Sequence, residues 1–349
     1  MLASLGWTPA LEDEFAPHAA DGFEPARVAV EHRGAYVVYT ARGECPAELS
    51  GRLRHAAEER GDLPAVGDWV AVTPTEPAMV QAVLPRRTKF SRMAANDHGQ
   101  TIEQVVAANV DVIFLTAGLD GDLNIRRLER YLTLGWESGA DPVVVLTKSD
   151  LCNDVEAALY EVASVAIGVP VHAVSNVTGE GTEALRPYFA AGRTVAALGS
   201  SGVGKSSLVN RLAGEELMAV GELRADGKGR HTTTNRQLLL LPGGGLFLDT
   251  PGMREIRLWD SDEGLETAFD DVTAAAALCR FNDCSHEAEP DCGVRAALAA
   301  GTLDEERYIS WRKLQGELLH LAMKQDSRLR SEARKERRRF ARSQRKASW

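Results

Sequence analysis

Gly199-Ser200-Ser201-Gly202-Val203-Gly204-Lys205-Ser206 is the stretch on which the reading of this 349-residue chain turns. It fits G-x-x-x-x-G-K-S and lies between an apolar run over 195–198 and a helix-forming run over 207–212. The motif requires that strand, loop and helix setting. Its glycines let the backbone fold so tightly that successive N–H groups and a helix N-terminus face the phosphates of a nucleotide. In such a loop Lys205 sets its ammonium on the β- and γ-phosphates and Ser206 offers its hydroxyl to Mg²⁺, with Ser200, Ser201, Gly202, Val203 and Ser207 lining the same turn.

Downstream, Asp249-Thr250-Pro251-Gly252 closes a second apolar run. An aspartate emerging at a strand end can hold the Mg²⁺ water shell, and the amide of Gly252 can meet a γ-phosphate. Between these motifs lies Gly229-Arg230-His231-Thr232-Thr233-Thr234, a polar stretch in which Thr233 or Thr234 is placed to close on Mg²⁺ when the triphosphate is bound.

The base-reading element stands upstream, as Thr147-Lys148-Ser149-Asp150 after the apolar run 143–146. The two oxygens of Asp150 can accept from guanine N1–H and the 2-amino group, a donor edge that adenine lacks. Lys148 would lay its aliphatic stem over the base. Thr147 stands where the N-K-x-D pattern has asparagine and is too short to make every bond asparagine could, so specificity is expected to persist with reduced affinity. Val174-Ser175-Asn176 closes the next run and is expected to lend backbone amides to the base edge. GTP-binding proteins ordinarily run phosphate loop, switch threonine, D-x-x-G, then N-K-x-D. Here the last element comes first while the cyclic order is kept, a permutation allowed where the original chain ends lie close at the surface.

Beyond these motifs, Cys279-x₄-Cys284-x-His286-x₅-Cys292 brings three thiols and an imidazole into fourteen residues. Those spacings can close the tetrahedron of a structural zinc site with no open position, reduced unpaired thiols being the alternative. Five cysteines are too few for a disulfide framework in a chain of this length, and Cys45 and Cys152 read as ordinary buried side chains.

A content of 44% hydrophobic and 26% charged residues is that of a globular protein able to bury real cores. The first fifteen residues carry Glu12, Asp13 and Glu14 without a basic start, unlike a secretory signal, and no run approaches the ~18 apolar residues of a membrane span. A cytoplasmic protein with no membrane partner is therefore expected. Net charge is −10, yet residues 324–349 hold eleven Lys/Arg, among them Arg334, Lys335, Arg337, Arg338, Arg339 and Arg342, against Asp326, Glu332 and Glu336. That local +8 on a body of −18 argues against a general nucleic-acid coat and for one localised polyanion contact.

Up to about residue 95, short apolar pieces at 28–30, 35–40, 68–72 and 79–84, separated by glycine and proline turns, read as a small β-barrel. From residue 110 the runs 112–115, 143–146, 171–174 and 195–198 lack alternation and sit between helical stretches. That is the mark of a parallel α/β sheet covered on both faces. Two apolar runs around Pro242-Gly243-Gly244-Gly245 read as a hairpin ending at Asp249, and helix-forming stretches follow at 293–300 and 304–324.

These motifs, with Pro64-Ala-Val-Gly-Asp-Trp-Val70, Leu84-Pro-Arg-Arg87 and the segment 103–111, closely resemble the small ribosomal subunit biogenesis GTPase family of RsgA or YjeQ type over about residues 28–325. The resemblance implies an α/β circularly permuted P-loop GTPase domain over 96–260, an all-β OB-fold barrel that binds RNA over 28–95, and a mainly helical zinc-binding domain over 261–325. An N-terminal extension over 1–27 and the basic tail over 326–349 complete the chain. It further implies subunit-stimulated hydrolysis of GTP, late in maturation of the small (30S) ribosomal subunit and in contact with its rRNA, by a monomer holding one zinc ion and Mg²⁺ with GTP. Met253 follows Gly252 and cannot orient water. The family gives that task to the histidine of G-R-H-T-T-T, which is His231 here, beside Lys205 as the second catalytic residue. Asp291 stands where a glycine is expected before the last cysteine. Two rival readings remain: a GTP-dependent protein acting on a different RNA, and a non-catalytic RNA scaffold clamped by nucleotide.

Overall fold

In the computed structural model the described residues are 1–32, 34–57, 59–95, 101–218, 236–249 and 262–325. Five strands form the barrel: β1 (Glu24–Glu31), β2 (Ala35–Thr40), β3 (Gly43–Leu49), β4 (Trp69–Val72) and β5 (Ala78–Val83). Antiparallel pairs β1–β2, β2–β3, β4–β5 and β1–β4, with β3 and β5 parallel, close it on itself. Its interior is filled by Ala26, Val28, Tyr36, Val38, Val70 and Val80, the inward half of each alternating strand. The first strand starts at Glu24, upstream of the expected start at 28. A hairpin of β6 (Lys89–Ala95) and β7 (Thr101–Ala108), which periodicity did not announce, follows the barrel as a separate two-stranded sheet.

The nucleotide-type sheet comprises β8 (Val112–Gly118), β9 (Asp141–Thr147), β10 (Val171–Ala173), β11 (Thr194–Gly199), β12 (Arg236–Leu240) and β13 (Leu246–Asp249). Its order is β10-β9-β8-β11-β13-β12, and all neighbours are parallel except β12–β13. All seven residues of β8 are buried, which is why its apolar run shows no alternation. Leu128 and Leu132 of α3 (Ile125–Ser138) cover one face, and Leu208, Val209 and Leu212 of α5 (Lys205–Ala213) cover the other. Asn124 caps α3 by accepting from Arg127 N at 2.9 Å, and Gly139 ends it in the left-handed region.

Barrel and nucleotide sheet are continuous. β1 pairs antiparallel with β12, Val30 opposite Gln237 and Glu31 opposite Arg236. An Arg236–Glu31 ion pair at 2.7 Å and Tyr39 OH donating to Leu238 O at 3.1 Å brace the seam. The first twenty residues are not a loose appendage: α1 (Pro9–Ala20), capped by Thr8, buries Leu11 and Phe15, while Trp7 packs edge-on against Trp69 at 4.7 Å between ring centroids.

The C-terminal unit joins helices α6 (Asp262–Ala268), α7 (Asp270–Ala276), α8 (Gly293–Ala299) and α9 (Glu305–Gln325). It docks on α3 through Arg130–Glu317 at 2.6 Å and through a buried Arg307–Glu129 pair at 3.3 Å, the two side chains 4% and 1% exposed. Arg307 also donates to Asp271 and to Ala268 O, so the buried guanidinium is satisfied by groups from both sides of the joint. Cys45 and Cys152 are half-buried, not the fully buried side chains their isolation suggested. Among the described residues no helix is long and apolar enough to cross a membrane.

Candidate functional site

Ligands of a parallel sheet bind outside the carboxyl ends of its strands, and the motifs converge there. β11 runs beside β8 in parallel register, Gly199 opposite Thr116, and then turns into α5 through the glycine-rich loop. A Cβ on Gly199 would sit 2.5 Å from Thr116 O, so only glycine lets the loop leave the sheet there. Gly204 caps α5 at φ 100°, a conformation that side chains resist. Lys205 Nζ donates to Gly199 O at 2.8 Å and Ser200 O at 2.7 Å, which folds its ammonium into the mouth of the loop.

The base-reading element lies against this loop although it comes 56 residues earlier. Thr147 ends β9, and its Oγ1 donates to Val203 O at 2.6 Å. Lys148 adopts φ 59°, which swings the chain around so that Ser149 N donates to Val174 O at 3.1 Å. Ser175 Oγ donates to Asp150 Oδ1 at 2.5 Å and accepts from Val177 N and Thr178 N. The amide of Ser175 is engaged with Glu180 O at 3.0 Å, and that of Val174 with Leu146 O at 2.8 Å. The Ser175 hydroxyl thus orients the Asp150 carboxylate, while the amides of Val174 and Ser175 are bonded to carbonyls of the protein itself.

Two acidic residues were missed in the sequence. In the loop after β8, Asp120 pairs with Lys148, while Asp122 accepts from Ser200 Oγ and pairs with Arg127 at 2.9 Å. An Asp-Gly-Asp loop directly after a fully buried strand was the available signal. Its meaning depends on β8 lying between β9 and β11, which places that loop between the base and phosphate elements. Asp249 ends β13, parallel to β11, and with Ser206 supplies hard oxygen donors of the kind Mg²⁺ takes. His231, Thr233, Thr234 and Gly252 lie outside the described residues.

Cys279, Cys284, His286 and Cys292 converge as their spacing suggested, their ligand atoms all within 4.8 Å of one another. Cys279 Sγ lies 3.8 Å from Cys292 Sγ, and His286 Nδ1 lies 3.5 Å from both. A tetrahedron with metal–sulfur bonds of about 2.3 Å has edges of about 3.8 Å, so Cys279, His286 and Cys292 already stand at the spacing a metal ion requires, with Cys284 as the fourth donor of the group. Asp291 adopts φ 55°, the backbone conformation that made glycine the expected residue before Cys292.

The loop that presents His286 is folded around Glu289. Its carboxylate accepts from Ser285 Oγ at 2.5 Å, Ser285 N at 2.9 Å, and Glu287 N and Ala288 N at 3.1 Å each. These donors, the Ser285 hydroxyl foremost, pull the Glu289 carboxyl down to about 2. It stays ionised wherever thiolates can hold a metal. Glu289→Ala is expected to lower metal affinity about tenfold through loss of this outer-shell support. Competition against a chromophoric chelator measures it, and an affinity within about twofold of wild type would show that the loop orders itself without Glu289.

A parallel sheet that sets its base reader ahead of its phosphate loop, between a closed five-stranded barrel and a Cys₃His helical unit, defines a circularly permuted P-loop GTPase. The comparisons with known proteins agree. The RsgA GTPase family model matches residues 83–259, and the chain belongs to that family. It is similar to the small ribosomal subunit biogenesis GTPase RsgA of Opitutus terrae, 50% identical over 93% of this chain and 92% of that one. The protein of the same name from Streptomyces coelicolor is 45% identical over 96% of this chain and 91% of its own. Among solved structures, YjeQ from Thermotoga maritima matches at a TM-score of 0.64 and 28% identity, covering 85% of this chain and 99% of that one. The fold also matches YloQ, a circularly permuted GTPase, at a TM-score of 0.60. The chain is a GTP hydrolase of this family.

Proposed function

We propose that this GTPase acts on the small (30S) ribosomal subunit during its late maturation, as a cytoplasmic monomer that contacts rRNA and hydrolyses GTP when the subunit stimulates it. The observation that carries the reading is that identity to the O. terrae small ribosomal subunit biogenesis GTPase runs over 93% of the chain, through barrel, GTPase domain and metal unit together.

In this reading Asp150, oriented by Ser175, selects guanine. Lys148 lies over the base, and Gly199–Ser207 with Lys205 wraps the phosphates. Ser206 and Asp249, joined by Thr233 or Thr234, hold Mg²⁺, whose bound charge lowers the cost of charge on the leaving phosphate. Gly252 meets the γ-phosphate, and His231, which matches the histidine to which the family gives the task, positions the attacking water. The ion in the Cys₃His cluster is zinc, which that donor set favours. The barrel and the basic tail beyond residue 325 supply contacts to the rRNA backbone.

Phosphate release measured with and without purified 30S subunits tests the reading, together with co-sedimentation in a GTP analogue against GDP. Wild type should be accelerated by subunits and sediment with them preferentially in the analogue. His231→Ala should bind GTP normally and lose the stimulated component. Turnover indifferent to subunits would sink the proposal in favour of another RNA partner.

A further inference from the structure

Thr147 leaves the joint between the base loop and the phosphate loop half made. Its hydroxyl carries one proton and faces two carbonyls, Val203 O at 2.6 Å and Ala117 O at 3.3 Å, so it donates to the nearer. An asparagine amide at the same place would carry two N–H groups. The second donation comes from another strand end. Asn176, after β10, reaches across with Nδ2 to Gly204 O at 3.0 Å, the carbonyl next along the phosphate loop after Val203. Gly204 O can only accept, which identifies the amide nitrogen as the atom facing it.

The two side chains flank one residue of the phosphate loop. A Cβ added at Gly204 would lie 2.8 Å from Asn176 Nδ2 and 4.0 Å from Thr147 Oγ1. Asn176 is itself held from α5, where Arg211 Nη1 donates to its carbonyl oxygen at 3.0 Å. Base loop, phosphate loop and the helix that follows are thus tied through one residue, by its side chain to Gly204 O and by its backbone carbonyl to Arg211.

We infer that Asn176 is the positioning residue that supplies the second side-chain hydrogen bond between the base-reading loop and the phosphate loop, beside the single one that Thr147 makes to Val203 O. It holds the base-reading loop against Gly204 so that Asp150 and the phosphate loop address the same nucleotide. The inference rests on the guanine-site reading of Thr147–Asp150 and deepens it. Asn176 bonds the backbone of the phosphate loop and no reacting atom, so its loss is expected to weaken ground state and transition state alike and to appear chiefly in KM rather than kcat.

The experiment is titration of the full-length chain with fluorescent mant-GDP and the GTP dependence of turnover. The variants are Asn176→Ala, Asn176→Asp, Thr147→Asn, and each Asn176 variant combined with Thr147→Asn, with folding checked by circular dichroism. Loss of this one bond should weaken mant-GDP by about tenfold. Asn176→Asp, which keeps the volume but sets an acceptor-only carboxylate against the Gly204 carbonyl, should weaken binding at least as much as Asn176→Ala, and it carries the comparison if the alanine variant does not fold. Adding Thr147→Asn should bring Asn176→Ala back to within about twofold of wild type and recover part of the loss in Asn176→Asp, which a merely structural role for Asn176 would not allow. Unchanged affinity in both single variants, or no recovery with Thr147→Asn, overturns the inference. A wild-type chain that takes up no guanine nucleotide would instead remove the guanine-site reading beneath it.

Discussion

Lys205→Ala should cut GTP turnover on 30S subunits by about 10²–10³-fold, the cost of losing one preorganised cation aimed at developing phosphate charge. The ammonium already sits in the mouth of the phosphate loop, 2.8 Å from Gly199 O and 2.7 Å from Ser200 O. Phosphate oxygens can replace those carbonyls without the side chain having to find a new place, so little reorganisation is needed when GTP arrives. Lys205→Arg should not restore turnover. A planar, forked guanidinium cannot occupy the point-charge position that a tightly wound glycine loop leaves open. Single-turnover phosphate release checks both variants, with nucleotide binding followed separately by fluorescence. Turnover within about tenfold of wild type in Lys205→Ala would show that the loop amides and Mg²⁺ neutralise the phosphates by themselves.

Arg27→Ala is expected to destabilise the folded chain by about 3–5 kcal/mol, more than any surface ion pair in the molecule could contribute. Arg27 lies on β1 with 1% of its surface exposed, at the point where the barrel, the N-terminal turn and the nucleotide sheet meet. Nε donates to Gly67 O at 3.2 Å in the barrel, and Nη1 donates to Leu5 O in the N-terminal turn. Nη2 donates to Asn109 O at 2.9 Å and Thr194 Oγ1 at 2.8 Å, at the feet of β8 and β11. The Trp69 ring covers the guanidinium at 5.5 Å. Burial pulls the guanidinium down to about 10, so it remains charged at neutral pH.

Truncating Arg27 would strand the carbonyls of Leu5 and Asn109 and the Thr194 hydroxyl in a place water does not reach, while Gly67 O keeps the Asn109 amide as a donor at 3.2 Å, and each unsatisfied acceptor costs about 1–3 kcal/mol. Arg27→Lys should recover only part of the loss, because three donors on a compact ammonium cannot span acceptors on four separate segments. The urea unfolding midpoint reads the effect. A shift equivalent to less than about 1 kcal/mol would mean that the apolar contacts of Leu5, Trp7 and Trp69 hold the joint without the hydrogen bonds.

The seam at β1 and β12 gives these observations a common geometry. β12 connects the segment that carries His231 with the strand that ends in Asp249, and its other edge is bonded to the barrel at Val30 and Glu31. β12 is therefore bonded along one edge to a barrel strand and along the other to the strand that ends in Asp249.

The chemistry of this protein was legible in its linear order because each motif draws its meaning from local backbone. A glycine-rich turn between strand and helix faces amides at phosphate whatever surrounds it, and three thiols and an imidazole within fourteen residues can close on one another through local backbone alone. The unbroken apolar runs announced a sheet covered on both faces for a similarly local reason. The burial of β8 over all seven residues confirms that reading.

Other features depend on which strands become neighbours, and no local pattern encodes that. Asn176 supports the phosphate loop only because β10, β9, β8 and β11 lie side by side. Asp120 and Asp122 reach Lys148 and Ser200 for the same reason. The hairpin of β6 and β7 escaped notice because its Lys89, Arg92, Glu103 and Gln104 pair with one another across the strands and break up the apolar alternation. Arg27, one arginine among many in the sequence, became a fully buried joint when four distant segments brought carbonyls and a hydroxyl around it. A charged side chain tolerates burial only when it is hydrogen-bonded there, and partners drawn from residues 5, 67, 109 and 194 exist only once the whole chain has folded.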